Sequence, residues 1–140
     1  MRTVLLEESL LLWNLLLKLP TIQYNEGIHN LFTAYLDIYS CDKKYFTVVM
    51  NILDLYIQLG RNTFLDGYLN VLPSVYYTFF QVVSSRELPR LVSSLHSLLL
   101  LYPSEGIHIL SPLMDTILLT IVNKHREEQI EQYSLLVLFD

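Results

Sequence analysis

The fold is decided by the stretch from Thr63 to Val83, which reads TFLDGYLNVLPSVYYTFFQVV. Its large apolar side chains recur every three or four positions, which is the spacing of one face of an α-helix. These side chains are Leu65, Tyr68, Leu69, Leu72, Tyr76, Phe79, Phe80 and Val83. Thr63 is placed to cap the helix, because Asp66 follows three residues later, where a carboxylate meets free backbone N–H groups. The pattern predicts one helix over residues 63–83, with Pro73 inside its apolar stripe.

The same spacing on both sides of this stretch predicts further helices, and the alternation typical of strands is absent. Asp42 and Ser104 are expected to act as N-caps, and Ser84 with Glu87 forms a capping-box pattern. The further helices are expected over about residues 4–19, 28–39, 42–60, 84–102, 104–123 and 129–139. The chain is therefore predicted to be all-α, with about seven antiparallel helices.

A repeat is indicated by two prolines that interrupt apolar stripes, Pro73 and, 39 residues later, Pro112. The neighbouring helices show a similar period. Leu53, Tyr56 and Leu59 of one helix align with Leu95, Leu98 and Leu101 of another, at a constant offset of 42 residues. A period near 40 with two helices per unit is typical of HEAT and armadillo repeats, whereas tetratricopeptide units are shorter. We therefore predict a right-handed α-α superhelix of this type. A compact seven-helix bundle is the alternative.

The expected organisation is a single repeat segment over residues 1–140, a fragment of a larger solenoid. Its repeats are expected at about 25–60, 62–102 and 106–139, after an unpaired helix over about residues 4–19.

The composition excludes several classes of function. Residues counted as hydrophobic make up 52% of the chain and charged residues only 16%, which excludes disorder. A net charge of −5 leaves no basic footprint for nucleic acid. Cys41 is the only cysteine, so no intrachain disulfide or cysteine-based zinc site can form. The most apolar stretch, 106–122, contains Asp115, whose charge disfavours a membrane span.

No residue pattern indicates catalysis, a cofactor or a metal ion. The histidines have no ligand spacing and are expected to be solvated or to lie at helix ends; they are His29, His96, His108 and His125. Three serines of one leucine-rich helix lack a nucleophile motif and are assigned to its polar face; they are Ser93, Ser94 and Ser97. The pairs Glu7-Glu8 and Glu127-Glu128 are expected in solvent. The chain is predicted not to be an enzyme and to have no small-molecule substrate.

The aromatic cluster of Tyr76, Tyr77, Phe79 and Phe80 has two interpretations. Packing between helices is favoured, and a groove for apolar peptides is the alternative, because aromatic residues concentrate at interface hot spots. Tyr77 lies off the main stripe and is expected to be the exposed member. The residues that bind a protein partner are not identified by the sequence.

Five short segments carry a resemblance to known proteins: Leu10-Leu-Leu-Trp13, Asn51-Ile-Leu-Asp-Leu-Tyr-Ile-Gln-Leu-Gly60, Thr63-Phe-Leu-Asp-Gly-Tyr68, Leu101-Tyr-Pro-Ser-Glu-Gly106 and Leu110-Ser-Pro-Leu113. They resemble importin-β superfamily receptors (karyopherins), most closely the importin-eleven branch and its central-to-C-terminal HEAT repeats. The resemblance implies a nuclear import receptor that binds cargo, nucleoporins and Ran-GTP and moves between cytoplasm and nucleus. A HEAT-repeat scaffold of another pathway, in trafficking or as a regulatory subunit, is the alternative function.

Overall fold

The structure, a computed structural model, describes the backbone of residues 2–40 and 42–139 and the side chains of residues 5–40 and 42–130. Within these ranges all regular structure is helical, which confirms the predicted all-α class. The seven α-helices are α1 (Arg2–Lys18), α2 (Glu26–Ile38), α3 (Phe46–Gly67), α4 (Leu72–Val82), α5 (Leu88–Leu101), α6 (Pro103–Leu110) and α7 (Met114–Phe139). Single 3-10 turns at Lys43–Tyr45 and Ser111–Leu113 precede α3 and α7.

The helices form two layers. One layer contains α1, α3 and α5 in that order, since α1 packs on α3 and α3 contacts α5 through polar side chains. The other contains α2, α4 and the α6–α7 segment, linked by the Tyr39–Phe79 ring contact and by packing of α7 on α4. Equivalent buried residues of the first layer are evenly spaced, because 43 residues separate Leu10 from Leu53 and 42 separate Leu53 from Leu95.

This layering is that of a helical repeat. The repeat boundaries at 25–60, 62–102 and 106–139 and the right-handed sense of the superhelix stay predictions. The helix at the N-terminus, expected to be unpaired, packs on α3 as a member of the first layer.

The predicted continuous helix over 63–83 is wrong. Residues 68–71 form a turn, in which the Leu72 N–H donates to the Tyr68 carbonyl, and α4 begins at Leu72. Pro73 therefore lies in the first turn of α4 and not inside a kinked helix, a position where its missing N–H costs little. The apolar spacing continues across the turn because both segments bury side chains in one core.

The second proline has an equivalent role. Pro112 lies in the 3-10 turn that precedes α7, so both prolines lie where a new helical segment begins. Two further predictions fail nearby. α6 begins at Pro103, so Ser104 is not its cap, and α7 continues through residues 124–128 to Phe139. Those polar residues contain no glycine or proline, and the Lys124–Glu127 pair, 3.6 Å apart, suits a helix surface.

The side-chain hydrogen bonds predicted at Asp42 and Ser84 are present, but each lies in a turn that leads into its α-helix, because α3 begins at Phe46 and α5 at Leu88. The Asp42 carboxylate accepts from the Lys44 N–H at 3.1 Å and caps the turn that leads into α3. At the start of α5, the Ser84 hydroxyl donates to Glu87 at 2.7 Å and accepts from the Glu87 N–H at 3.3 Å. Both capping side chains are therefore used as the sequence indicates.

Two tyrosines join α2 to α3 by reciprocal hydrogen bonds. Tyr35 of α2 donates to the carbonyl of Val49 in α3, and Tyr56 of α3 donates to the carbonyl of Ile28 in α2, each at 2.9 Å. Each carbonyl has a second lone pair besides the one that serves its own helix. The two contacts fix the antiparallel register, because each step along α2 is matched by an equal step back along α3.

Tyr56 also anchors α1. Its hydroxyl accepts from the Trp13 indole N–H at 3.2 Å, and the two rings meet edge to face with centroids 6.1 Å apart. The rings of Phe32 and Phe64 lie 5.0 and 5.3 Å from that of Tyr56. Burial raises the pKa of Tyr56 to about 12, so the hydroxyl stays protonated and continues to donate far into the alkaline range.

α3 is kinked at Arg61, whose φ of 50° and ψ of −133° interrupt the helix. The sequence predicted a helix end at Gly60, and the regular part of α3 does stop there. Gly60, however, is needed for close packing: a Cβ there would lie against Phe64 Cβ and 2.8 Å from the Tyr24 ring. The positive φ falls on an arginine, and such a conformation costs of order 1–3 kcal/mol.

We predict that Tyr56→Phe lowers the free energy of unfolding by about 1–2 kcal/mol, because the half-buried Trp13 N–H then has no acceptor and the bond to Ile28 is lost. Tyr77→Phe is the matched control, since Tyr77 is 47% exposed and its substitution should change stability by less than about 0.5 kcal/mol. Denaturant titration of the three proteins measures the difference. Equal stabilities of the two variants would contradict the role given to Tyr56.

We expect Arg61→Gly to raise the free energy of unfolding by about 1 kcal/mol, because glycine adopts a positive φ without strain. Arg61→Ala removes the same side chain but keeps a Cβ, so it should leave the strain in place. Thermal unfolding of the two variants separates backbone from side chain. A glycine variant no more stable than the alanine variant would show that the kink is unstrained.

Candidate interaction surfaces

A cleft of about 750 Å³ lies between α3 and α5. Its lining residues are Asp54, Ile57, Gln58, Arg61, Arg90, Ser93, Ser94, Ser97, Leu98, Leu101 and Tyr102. Its lining combines two cations, one anion, four hydroxyls and an apolar end.

Asp54 holds one side of the cleft in place. Its carboxylate accepts from the Ser94 hydroxyl at 2.6 Å and forms an ion pair with Arg90 at 3.1 Å. Arg90 also donates to the amide oxygen of Asn51. Burial raises the pKa of Asp54, and the Ser94 hydrogen bond and the Arg90 charge act against that increase. Arg90 is thereby neutralised by Asp54.

Tyr76 of α4 is a buried polar group close to this pair. Its side chain is fully buried, and its hydroxyl has no hydrogen bond to any of the described residues. Burial raises the pKa of Tyr76, the Asp54 charge raises it further, and Ser94 is near enough to act in the opposite direction. Tyr76, in the second layer, therefore places its hydroxyl group close to the Asp54–Ser94 hydrogen bond.

α1 exposes several large apolar side chains, among them Leu5, Leu12 and Leu15, with the exposed Glu8 and Ser9 between the first two. Leu19, just after α1, is exposed as well. Adding the two repeat offsets of 43 and 42 residues to Leu5 and Leu12 gives the equivalent positions in α5, which are Arg90 and Ser97. Both of these residues face α3. α1 thus presents the surface on which a further helix of the same layer would pack.

A second apolar face lies on α6 and α7. Met114, Leu118 and Val122 are exposed at successive four-residue steps, and Ile107 is exposed near them. The helical stretch Pro103–Ile130 is long and apolar enough, by length and composition alone, to cross a membrane, and 28% of its most apolar window is buried. This is weak evidence for a span, since core helices of soluble proteins meet the same criteria. Exposed apolar patches of this kind also mark protein interfaces.

His29 lies in the first turn of α2, as the helix-end alternative has it, but it is not solvated. It is half-buried between Tyr24, which is hydrogen-bonded to its Nδ1, and Tyr68, whose ring centroid lies 4.8 Å away. Tyr68 also donates to the His29 carbonyl at 2.5 Å. A Cβ at position 67 would come within 2.6 Å of the imidazole, so Gly67 makes room for this ring. His96, His108 and His125 are exposed, as predicted.

The aromatic cluster is used for packing, as the favoured interpretation has it. Tyr76, Phe79 and Phe80 are buried, and Tyr77 is the exposed member. Of the three serines, Ser93 and Ser97 are exposed, whereas Ser94 contacts Asp54, which the sequence did not indicate. Both acidic pairs are exposed.

Across the part of the chain that the structure describes, no three His, Cys, Asp or Glu side chains are grouped as metal ligands would be. Cys41 lies outside the described residues. The absence of enzyme activity remains a prediction.

A family model described as "Importin-11-like, TPR repeats" matches residues 1–139. No curated protein and no solved structure matches the chain. The repeat type in that description is also an antiparallel helix pair, although the spacing of 42–43 residues seen here is longer than the tetratricopeptide unit of about 34. Because the match covers all but the final residue, the chain belongs to the Importin-11-like family of helical-repeat proteins.

Proposed function

We propose that this chain is a segment of a nuclear import receptor that binds cargo and pore proteins under the control of the GTPase Ran. The family match over residues 1–139 carries the proposal. The receptor acts by reversible protein binding and not by catalysis, and it is found in the cytoplasm, in the nucleus and at the nuclear pores.

The surfaces of the structure support binding to proteins. The cleft between α3 and α5 has a volume within the range of natural binding sites and combines apolar walls with polar groups. The apolar faces of α1 and α7 suit contacts with further helices. The surface charge is acidic on balance, with 14 Asp and Glu against 9 Lys and Arg, which favours basic protein partners over nucleic acid.

We expect the full-length gene product to be retained on immobilised phenylalanine-glycine repeats of nucleoporins and on Ran loaded with GTP. Retention should fall on repeats whose phenylalanines are changed to serine, because the apolar contact is lost, and on Ran loaded with GDP. Pull-down from dilute solution measures both. A fluorescent fusion should also outline the nuclear envelope in cells.

The transport proposal would be rejected if neither Ran-GTP nor the unmodified repeats retained the protein. Localisation on cytoplasmic membranes, without a signal at the nuclear rim, would instead support a scaffold of another pathway.

A further inference from the structure

We infer that the cleft between α3 and α5 binds an acidic-aliphatic peptide segment of a partner, with its carboxylate on Arg61 and its aliphatic side chain against Leu101 and Tyr102. The inference deepens the proposed function, on which it rests, by naming the chemistry of a bound partner. It is independent of the Ran and nucleoporin contacts.

Arg61 is the free cation of the cleft. Its side chain is exposed and makes no ion pair or hydrogen bond with the residues that the structure describes, whereas Arg90 is neutralised by Asp54. The charges that line the cleft therefore sum to one unpaired positive charge. A partner carboxylate is the group that complements it, because a guanidinium binds a carboxylate through two parallel hydrogen bonds.

The backbone holds Arg61 at the rim of the cleft. Its φ of 50° turns the chain away from the axis of α3 directly after Gly60. A non-glycine residue in this conformation is a strained feature, and such features cluster at sites where a ligand is bound. If this residue served only to end the preceding helix, glycine would be preferred, because glycine adopts a positive φ without strain.

The remaining lining fits an extended peptide. Ser93 and Ser97 are one helical turn apart on the exposed face of α5, and Gln58 faces them from α3. The structure gives these three side chains no hydrogen bond with described residues, so they are available to peptide N–H and C=O groups. Leu101, which is 70% exposed, and the half-buried Tyr102 form the accessible apolar end, whereas Leu98 is buried beneath them.

The test uses the purified 140-residue chain and a fluorescein-labelled peptide of alternating leucine and glutamate. A second peptide has glutamine in place of glutamate, and a third is a phenylalanine-glycine repeat without acids. Fluorescence anisotropy should show the glutamate peptide binding about tenfold more tightly than the other two, as expected for a charge-assisted contact. Raising the salt concentration should weaken this preference.

Substitutions at the cation locate the site. Arg61→Gln should weaken binding of the glutamate peptide about tenfold and remove its advantage over the glutamine peptide, whereas Arg61→Lys should keep part of that advantage. Arg86→Gln is the control for charge, because Arg86 is exposed outside the cleft. Arg61→Gly should weaken binding while the fold becomes more stable, which excludes unfolding as the cause.

A second pair of variants tests the apolar end. Leu101→Ser should weaken binding about fivefold, because the aliphatic contact is lost. Leu100→Ser should change it less than about twofold, since Leu100 is equally exposed at 68% but does not line the cleft.

Three results would overturn the inference: equal binding of the glutamate and glutamine peptides, equal effects of Arg61→Gln and Arg86→Gln, or no binding of any peptide at millimolar concentration. Tighter binding of the phenylalanine-glycine peptide would assign the cleft to a different partner. The first two results leave the Ran and nucleoporin experiment unaffected, and binding to Ran-GTP is independent of all of them, so the failure of this inference is distinguishable from failure of the transport proposal.

Discussion

The reciprocal hydrogen bonds of Tyr35 and Tyr56 are the contacts on which the rest of the structure depends. Each hydroxyl reaches a backbone carbonyl of the other helix, so α2 and α3 can pack in one register only. Both side chains are fully buried, and a buried hydroxyl without a partner costs about 1–3 kcal/mol. A shift of one helix along the other would therefore break two bonds as well as the ring contacts around Phe32. Apolar packing alone would tolerate such a shift more easily.

Further positions follow from this register. Once Tyr56 is fixed, its hydroxyl sets the position of α1 through Trp13, and the adjoining turns of α3 present Asp54 and Gly60 at defined places. Asp54 then positions α5 through Ser94 and Arg90. The cleft is the space left between these contacts and the kink at Arg61. The shape of a binding surface in a repeat protein thus depends on polar contacts between helices of one layer, as well as on the curvature of the whole solenoid.

Local features of the fold could be predicted from the sequence, because their causes lie within a few residues. Apolar spacing located the helices, and the Ser84–Glu87 box marked the start of α5. The spacing could not show the turn at 68–71, since residues on both sides of it face the same core. The predicted break between helices at 124–128 is wrong, because polar composition alone does not end a helix that lacks glycine and proline. The offset of 42 between Leu53 and Leu95 was visible, whereas the equivalent Leu10 was not recognised.

The candidate site was beyond prediction for a different reason. Asp54 and Arg90 are 36 residues apart, and nothing in either neighbourhood indicates that they meet. The positive φ of Arg61 has no sequence signal, since arginine rarely adopts it. His29 lies between Tyr24, 5 residues before it, and Tyr68, 39 residues after it. Only the contact with Tyr24 is local enough to be predicted from the sequence.

Native-state hydrogen exchange tests the central role of the tyrosine contacts most directly. If α2 and α3 are held in register by Tyr35 and Tyr56, the backbone amides around Phe32 and Leu53 belong to one cooperative unit. They should then exchange with the same opening free energy, and Tyr35→Phe should lower that value equally in both helices. Exchange of α2 that is much faster than that of α3, or a Tyr35→Phe effect confined to α2, would contradict the account.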